Sequence, residues 1–160
     1  MRIEEAIQQT KPFRSEYQKV LVNILFTSNW LEEKLRNLLK PYDITIQQYN
    51  VLRILRGANN ALTTSVIRQR LIDKMSDTSR MVDRLCKKGL VSREVCCGDR
   101  RKVDISLTNE GAKLLAEIDL SSERFDQCTQ GLSVKEAEML NLLLDKVRYP
   151  CVTENHSHDQ

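Results

Sequence analysis

A chain of 160 residues with 41% hydrophobic and 29% charged residues has the length and composition of one folded domain with a buried core, with room for a helical extension used in assembly. No run of about 18 uncharged apolar residues is present to cross a membrane, and the N-terminus turns acidic at Glu4-Glu5 without the apolar core of a signal peptide, so a cytoplasmic location is expected. The net charge of +3 is unevenly spread: Leu62 to Lys102 holds eleven Lys or Arg against five Asp or Glu, which leaves the remainder mildly acidic and suggests one lobe that faces a polyanion.

In chain order, a short loose start leads into an apolar stripe of Phe13, Tyr17, Val20, Leu21, Ile24, Leu25, Leu31, Leu35, Leu38 and Leu39. The stripe predicts one long helix over 11–40, stopped at or just before Pro41. A helix of about 28 residues has more apolar face than a small core needs, and a second subunit is the natural cover. Thr45-Ile46-Gln47-Gln48 fits a capping box for a helix that carries Tyr49, Leu52 and Leu55 and ends at Gly57 in a left-handed conformation. Asn59-Asn60 reads as a turn and Ala61-Leu62 as a brief extended piece. Thr63 or Thr64 then caps a helix whose apolar face is Val66, Ile67, Leu71 and Ile72.

The stretch from Met75 to Thr108 changes period partway. Met75, Thr78, Val82 and Leu85 recur at helical spacing, with Ser76 as the expected cap. After Gly89 the period falls to two through Val91, Val95, Val103, Ile105 and Leu107, interrupted by the basic loop Gly98-Asp99-Arg100-Arg101-Lys102. Two helices joined by a tight turn, then a hairpin, form a winged helix-turn-helix over 44–107. Thr108 caps a further helix through about Gln127 with Leu114, Leu115, Ile118 and Leu120 buried. Ser133-Val134-Lys135-Glu136 is a second capping box, opening a helix from Ala137 to about Arg148 that Pro150 ends; a flexible tail over 150–160 follows. The expected fold is mainly α with a small β-hairpin wing, in a single domain whose end helices, 11–40 and 108–148, form a dimerisation layer.

Four segments resemble the MarR family of bacterial transcription regulators: Met75-Ser76-Asp77-Thr78-Ser79-Arg80-Met81-Val82-Asp83-Arg84-Leu85, Lys87-Lys88-Gly89-Leu90-Val91, Gly98-Asp99-Arg100-Arg101-Lys102, and Ile105-Ser106-Leu107-Thr108-Asn109-Glu110-Gly111. They occur in the family's order and spacing, and the element order is similar from about Phe13 to Arg148. The resemblance implies a homodimer on a pseudo-palindromic operator of double-stranded DNA. It further implies a repressor of a nearby operon, relieved by a small aromatic effector or by thiol modification, with no cofactor.

A helix in the major groove presents its N-terminal residues to base edges, which here are Ser76, Asp77, Ser79 and Arg80. Arg80 can take guanine O6 and N7 with two hydrogen bonds, and Asp77 can accept from cytosine N4 or hold Arg80 in place. Arg84, one turn on, can reach a base or a phosphate, or pair with Asp83 or Asp77 and never meet DNA. At the wing, the resemblance implies that Asp99 braces Arg101 while Arg101 enters the minor groove, whose potential attracts arginine where the groove is narrow. Arg100 and Lys102 suit phosphates, as do Thr63, Thr64, Ser65 and Arg68 at the start of the third helix.

The odd number of cysteines, five, and the lack of Cys-x-x-Cys spacing favour free thiols. Cys86, Cys96 and Cys97 are the candidate redox positions, since nearby Lys87, Lys88 and Arg100 would lower a thiol pKa; inert packing is the plainer reading. His156 and His158 with Cys151 lack a metal-ligand spacing, so no metal is expected. Phe26, Trp30 and Tyr49 can line an effector pocket or serve only as core. No Gly-rich phosphate loop or paired nucleophile and base points to an enzyme. The alternative from another class is a winged-helix module for protein interaction that does not bind DNA.

Overall fold

A computed structural model of the chain describes residues 1–58, 60–95 and 103–149. The elements run α1 (Ile3–Ala6), α2 (Glu16–Leu39), a 3-10 turn (Lys40–Tyr42), α3 (Ile46–Arg56), β1 (Leu62–Thr63), α4 (Thr64–Arg70) and α5 (Thr78–Lys87). Then follow β2 (Val91–Val95), β3 (Val103–Leu107), α6 (Asn109–Asp119), α7 (Ser122–Asp126) and α8 (Val134–Arg148). The chain divides into two compact units, Met1–Phe125 and Asp126–Gln160. The first is the expected winged helix-turn-helix with α2 leading into it.

Local chemistry sets most helix starts. A helix leaves its first backbone N–H groups without partners, and short polar side chains supply acceptors there. Ser15 accepts from the Gln18 amide at 3.2 Å, Thr63 from Val66 at 3.4 Å and Thr108 from Gly111 at 3.1 Å. Both predicted capping boxes are present, Thr45 with Gln48 and Ser133 with Glu136.

The core is the convergence of the helical stripes on the sheet. Val51, Leu52 and Leu55 of α3, Ile67 and Leu71, Val82 and Leu85 of α5, and Leu115 and Ile118 of α6 close on Val91 and Ile105. The strands order β1-β3-β2, all antiparallel, with Val91 opposite Leu107 and Val95 opposite Val103. The predicted extended piece at Leu62 becomes the third strand, paired to Ile105. Polar and aromatic ties secure α3 and the 3-10 turn before it to the segment 119–125: Arg56 to Asp119 at 2.5 Å, Tyr42 Oη to Ser121 Oγ at 3.3 Å, and the Tyr49 ring stacked 5.8 Å from Phe125.

A second clamp fixes the junction between α5 and the wing. Gly89, at φ 71, ends α5 in the left-handed conformation that glycine adopts without cost, and Leu90 N–H donates back to the Leu85 carbonyl at 3.0 Å. Thr108 Oγ1 donates to the Gly89 carbonyl at 2.7 Å, and Thr108 N–H to the Leu90 carbonyl at 3.2 Å. Gly111 permits this approach, because a Cβ there would stand 2.2 Å from the Leu90 oxygen.

Several sequence expectations change. The start is ordered: α1 buries Ile3, and Glu4 pairs with Lys19 of α2 at 2.6 Å. The long helix spans 24 residues, because Ser15 caps it after Phe13 and the chain tightens into the 3-10 turn, which accommodates Pro41 in its first positions. Gly57 is right-handed at φ −78, so no positive φ is required of it. α5 begins at Thr78 on an Asp77 cap, which leaves Met75 outside the helix and 91% exposed, with Ile72 83% exposed in the same turn. α6 stops at Asp119, and Leu120, at its C-cap, is 88% exposed where burial was expected. The last helix begins at Val134, three residues earlier than its first assigned position, directly on its Ser133 cap.

Candidate nucleic-acid interface

The turn between α4 and α5 is built on Asp73. Its carboxylate accepts the Met75 amide at 3.0 Å and the Ser76 hydroxyl, and the Ser76 bond is the largest influence holding the carboxyl below its ordinary pKa. Ser76, expected as the helix cap, thus braces the turn. Arg68 Nε donates to the Lys74 carbonyl across the same turn at 3.4 Å, and Thr64 is the first residue of α4.

Asp77 caps α5 by accepting the Arg80 amide at 3.1 Å, and its second oxygen lies 3.5 Å from Arg80 Nε. One carboxylate therefore terminates the helix and orients the arginine that follows. Arg80 keeps 79% of its side chain exposed, and Ser79 beside it is exposed too. On the opposite face Thr78, Val82 and Leu85 are buried, so core packing sets the rotation of α5 and turns Ser79, Arg80 and Asp83 outward.

Asp83 pairs with Arg93 of β2 at 2.8 Å. This bond links the helix that carries Arg80 to the strand that carries the wing, and nothing in the sequence pattern marked Arg93 for it. Arg84 makes no ion pair among the described residues, with Asp83 engaged by Arg93 and Asp77 by Arg80. The wing-tip candidates Asp99, Arg100, Arg101 and Lys102, with Cys96, Cys97, Cys151, His156 and His158, lie outside the described residues.

Cys86 is half-buried against the core. Among the described residues no group of three or more His, Cys, Asp or Glu could hold a metal ion, and no helix is long and apolar enough to cross a membrane. Of the aromatic candidates for an effector pocket, Tyr49 stacks on Phe125 and carries Arg53 over its ring, while Phe26 and Trp30 belong to the exposed part of α2.

The comparisons with known proteins agree with this geometry. A model of the MarR family matches residues 42–102. The HTH-type transcriptional regulator FarR of Neisseria gonorrhoeae is 30% identical over 134 residues, which cover 83% of this chain and 91% of that protein. The multiple antibiotic resistance protein MarR of Escherichia coli is 31% identical over 130 residues, covering 79% of this chain and 90% of its own. Among solved structures, a mutant MarR of Escherichia coli complexed with operator DNA is similar with a TM-score of 0.75 and 28% identity, over 86% of this chain and 99% of that one.

Proposed function

Because the chain belongs to the MarR family, we propose that it is a homodimeric transcription regulator that binds a pseudo-palindromic operator on double-stranded DNA. In this reading it acts in the cytoplasm as a repressor of a nearby operon, relieved by a small ligand or by thiol modification, and it is not an enzyme.

The observation that carries DNA binding is the first turn of α5. Its core face is fixed by burial, and Arg80 stands exposed with its guanidinium steered by the Asp77 cap. A pre-oriented arginine at the N-terminus of a helix suits bidentate recognition of guanine, worth about 1–3 kcal/mol of discrimination. The solved structure with operator DNA, similar over most of the chain, supports the same docking. Thr64 and Arg68, near the same turn, suit phosphate contacts. Arg84 and the wing residues Asp99, Arg100, Arg101 and Lys102 complete the proposed contact set, with Arg101 in the minor groove.

Dimerisation is supported by apolar surface that the single chain leaves uncovered. Tyr17, Val20, Leu21 and Leu25 of α2 are exposed, as are Met139, Leu142, Leu143 and Val147 of α8. Apolar residues exposed along each of these helices, taken separately, favour burial against a second copy. Two-fold symmetry then predicts half-sites about one helical turn of DNA apart.

The test is fluorescence anisotropy on an operator obtained by selection from a random DNA pool. Arg101→Ala should lower affinity steeply and flatten its salt dependence, with helix content unchanged. Equal affinity of wild type and variant would remove the wing from the reading. Failure of the wild-type chain to select any sequence would favour a protein-interaction module in its place.

A further inference from the structure

A cleft with a volume of about 830 Å³ opens where the C-terminal end of α2 meets the N-terminus of α3 and the C-terminal end of α5. Five cations line it: Arg36 and Lys40 from the end of α2 and the turn after it, and Arg84, Lys87 and Lys88 from the end of α5. The acidic residues at the cleft are Glu32 and Asp43. Among the described residues Arg36, Lys40, Arg84 and Lys87 form no ion pair, and Lys88 alone is engaged. Its ammonium lies 2.6 Å from the Asp43 carboxylate and also donates to the Asp43 carbonyl. Asp43 itself sits at φ 52, in the left-handed region, at the joint between α2 and α3.

Dispersed cations on a convex surface are ordinary solvated side chains. Cations converging on a concave wall from segments far apart in sequence are different, because a cleft lined by one sign of charge concentrates its field and repels itself until an anion enters. The first turn of α3 adds to this: its cap takes the Gln48 amide, and the Ile46 and Gln47 amides precede the first intrahelical bonds, with both residues lining the cleft. The cleft runs along the C-terminal half of α5. At about 1.5 Å per residue Lys88 is about 12 Å along the axis from Arg80, and Arg84, which also belongs to the proposed DNA contact set, about 6 Å.

We propose that this cleft binds a small, multiply charged anion, a compact polyphosphate or polycarboxylate, and that its occupation competes with Asp43 for Lys88. An anionic oxygen at the Lys88 ammonium displaces the Asp43 carboxylate and frees the end of α5 from the joint between α2 and α3. Binding of the anion stands on the cleft alone; an effect on operator affinity rests also on the regulator reading.

The experiment is isothermal titration of the full chain at low ionic strength, separately with inorganic pyrophosphate and with citrate, for wild type and Arg36→Gln/Lys40→Gln. This variant leaves the residues assigned to DNA untouched. Expected is one site per chain with a Kd below about 1 mM for at least one probe, weakened about tenfold or more in the variant as charge-assisted contacts are lost. Heat with pyrophosphate alone identifies phosphate chemistry, and heat with citrate alone identifies carboxylate chemistry. Amide resonances of Asp43 and Lys88 should shift together as the site fills. No heat with either probe, or equal binding by wild type and variant, overturns the proposal. So does a variant that loses operator affinity and salt dependence without any anion present, since the cleft would then belong to the DNA contact. Anion binding by a chain that selects no DNA sequence leaves the site standing and removes only the regulator reading.

Discussion

Replacing Gly111 with alanine tests the clamp that joins α5, the wing and α6. The added Cβ would lie 2.2 Å from the Leu90 carbonyl oxygen and 2.7 Å from Leu107 Cδ1. The side chain of Leu107 can turn aside, but the Leu90 oxygen cannot retreat freely, because it accepts the Thr108 amide at 3.2 Å and follows the Gly89 turn. Overpacking of this kind costs about 1–3 kcal/mol, and a backbone obstacle places it at the upper end. Alanine recovers about 1 kcal/mol over glycine inside a helix, which leaves a net loss of about 2 kcal/mol. In urea, with m near 2 kcal/mol per molar, the midpoint should fall by about 1 M. Gly57→Ala is the matched control: its Cβ would meet the Arg53 oxygen at an ordinary 3.5 Å, and its backbone is already right-handed. That variant should hold or gain about 0.4–1 kcal/mol, mainly through the unfolded chain. Both are measured at one protein concentration, since assembly shifts the midpoint. A Gly111→Ala midpoint equal to wild type or above it would refute the close approach.

The Asp73 carboxyl is held below its ordinary value by the Ser76 hydroxyl and the Met75 amide. Its contribution to the α4–α5 turn is therefore present above about pH 3.9, the unfolded value, and is lost as the pH falls through the lower folded one. Carbon-13 NMR titration should show Ser76→Ala raising that midpoint toward the ordinary carboxylate range, and identical midpoints would contradict the assigned bond. Leu21→Glu/Leu25→Glu should halve the mass seen by sedimentation without loss of helix signal; an unchanged mass would place the dimer contact elsewhere. The Asp83–Arg93 pair is about half exposed on both sides, so Asp83→Asn should cost about 0.2–1 kcal/mol, or below about 4 °C in Tm. A drop beyond about 8 °C would show that the pair holds more of the fold than its exposure allows.

The residues that could be placed from sequence are those whose partners lie three or four positions away. Thr45 with Gln48, Ser133 with Glu136, Thr108 with Gly111 and the stripe Val82, Leu85 all obey helical spacing, and the structure has each of them in its expected role. Local rules also erred where two polar residues competed for one task. Ser76 and Asp77 both suit a cap, and the equally local hold of Asp73 on Ser76 left the helix end to Asp77. Periodicity likewise assigned Met75, Ile72 and Leu120 to the core, although turns carry all three out of it.

The amino-acid sequence by itself determined the element order, most of the caps, the alternating wing strands and the four segments that mark the family, because each is written in neighbouring residues. Tertiary structure alone decided which distant residues meet. The approach of Gly111 to Leu90, the pairing of Asp83 with Arg93 and of Asp43 with Lys88, and the convergence of Arg36 with Arg84 follow no period. They depend on how far each helix rotates to bury its apolar face, and that angle exists only once the core has closed.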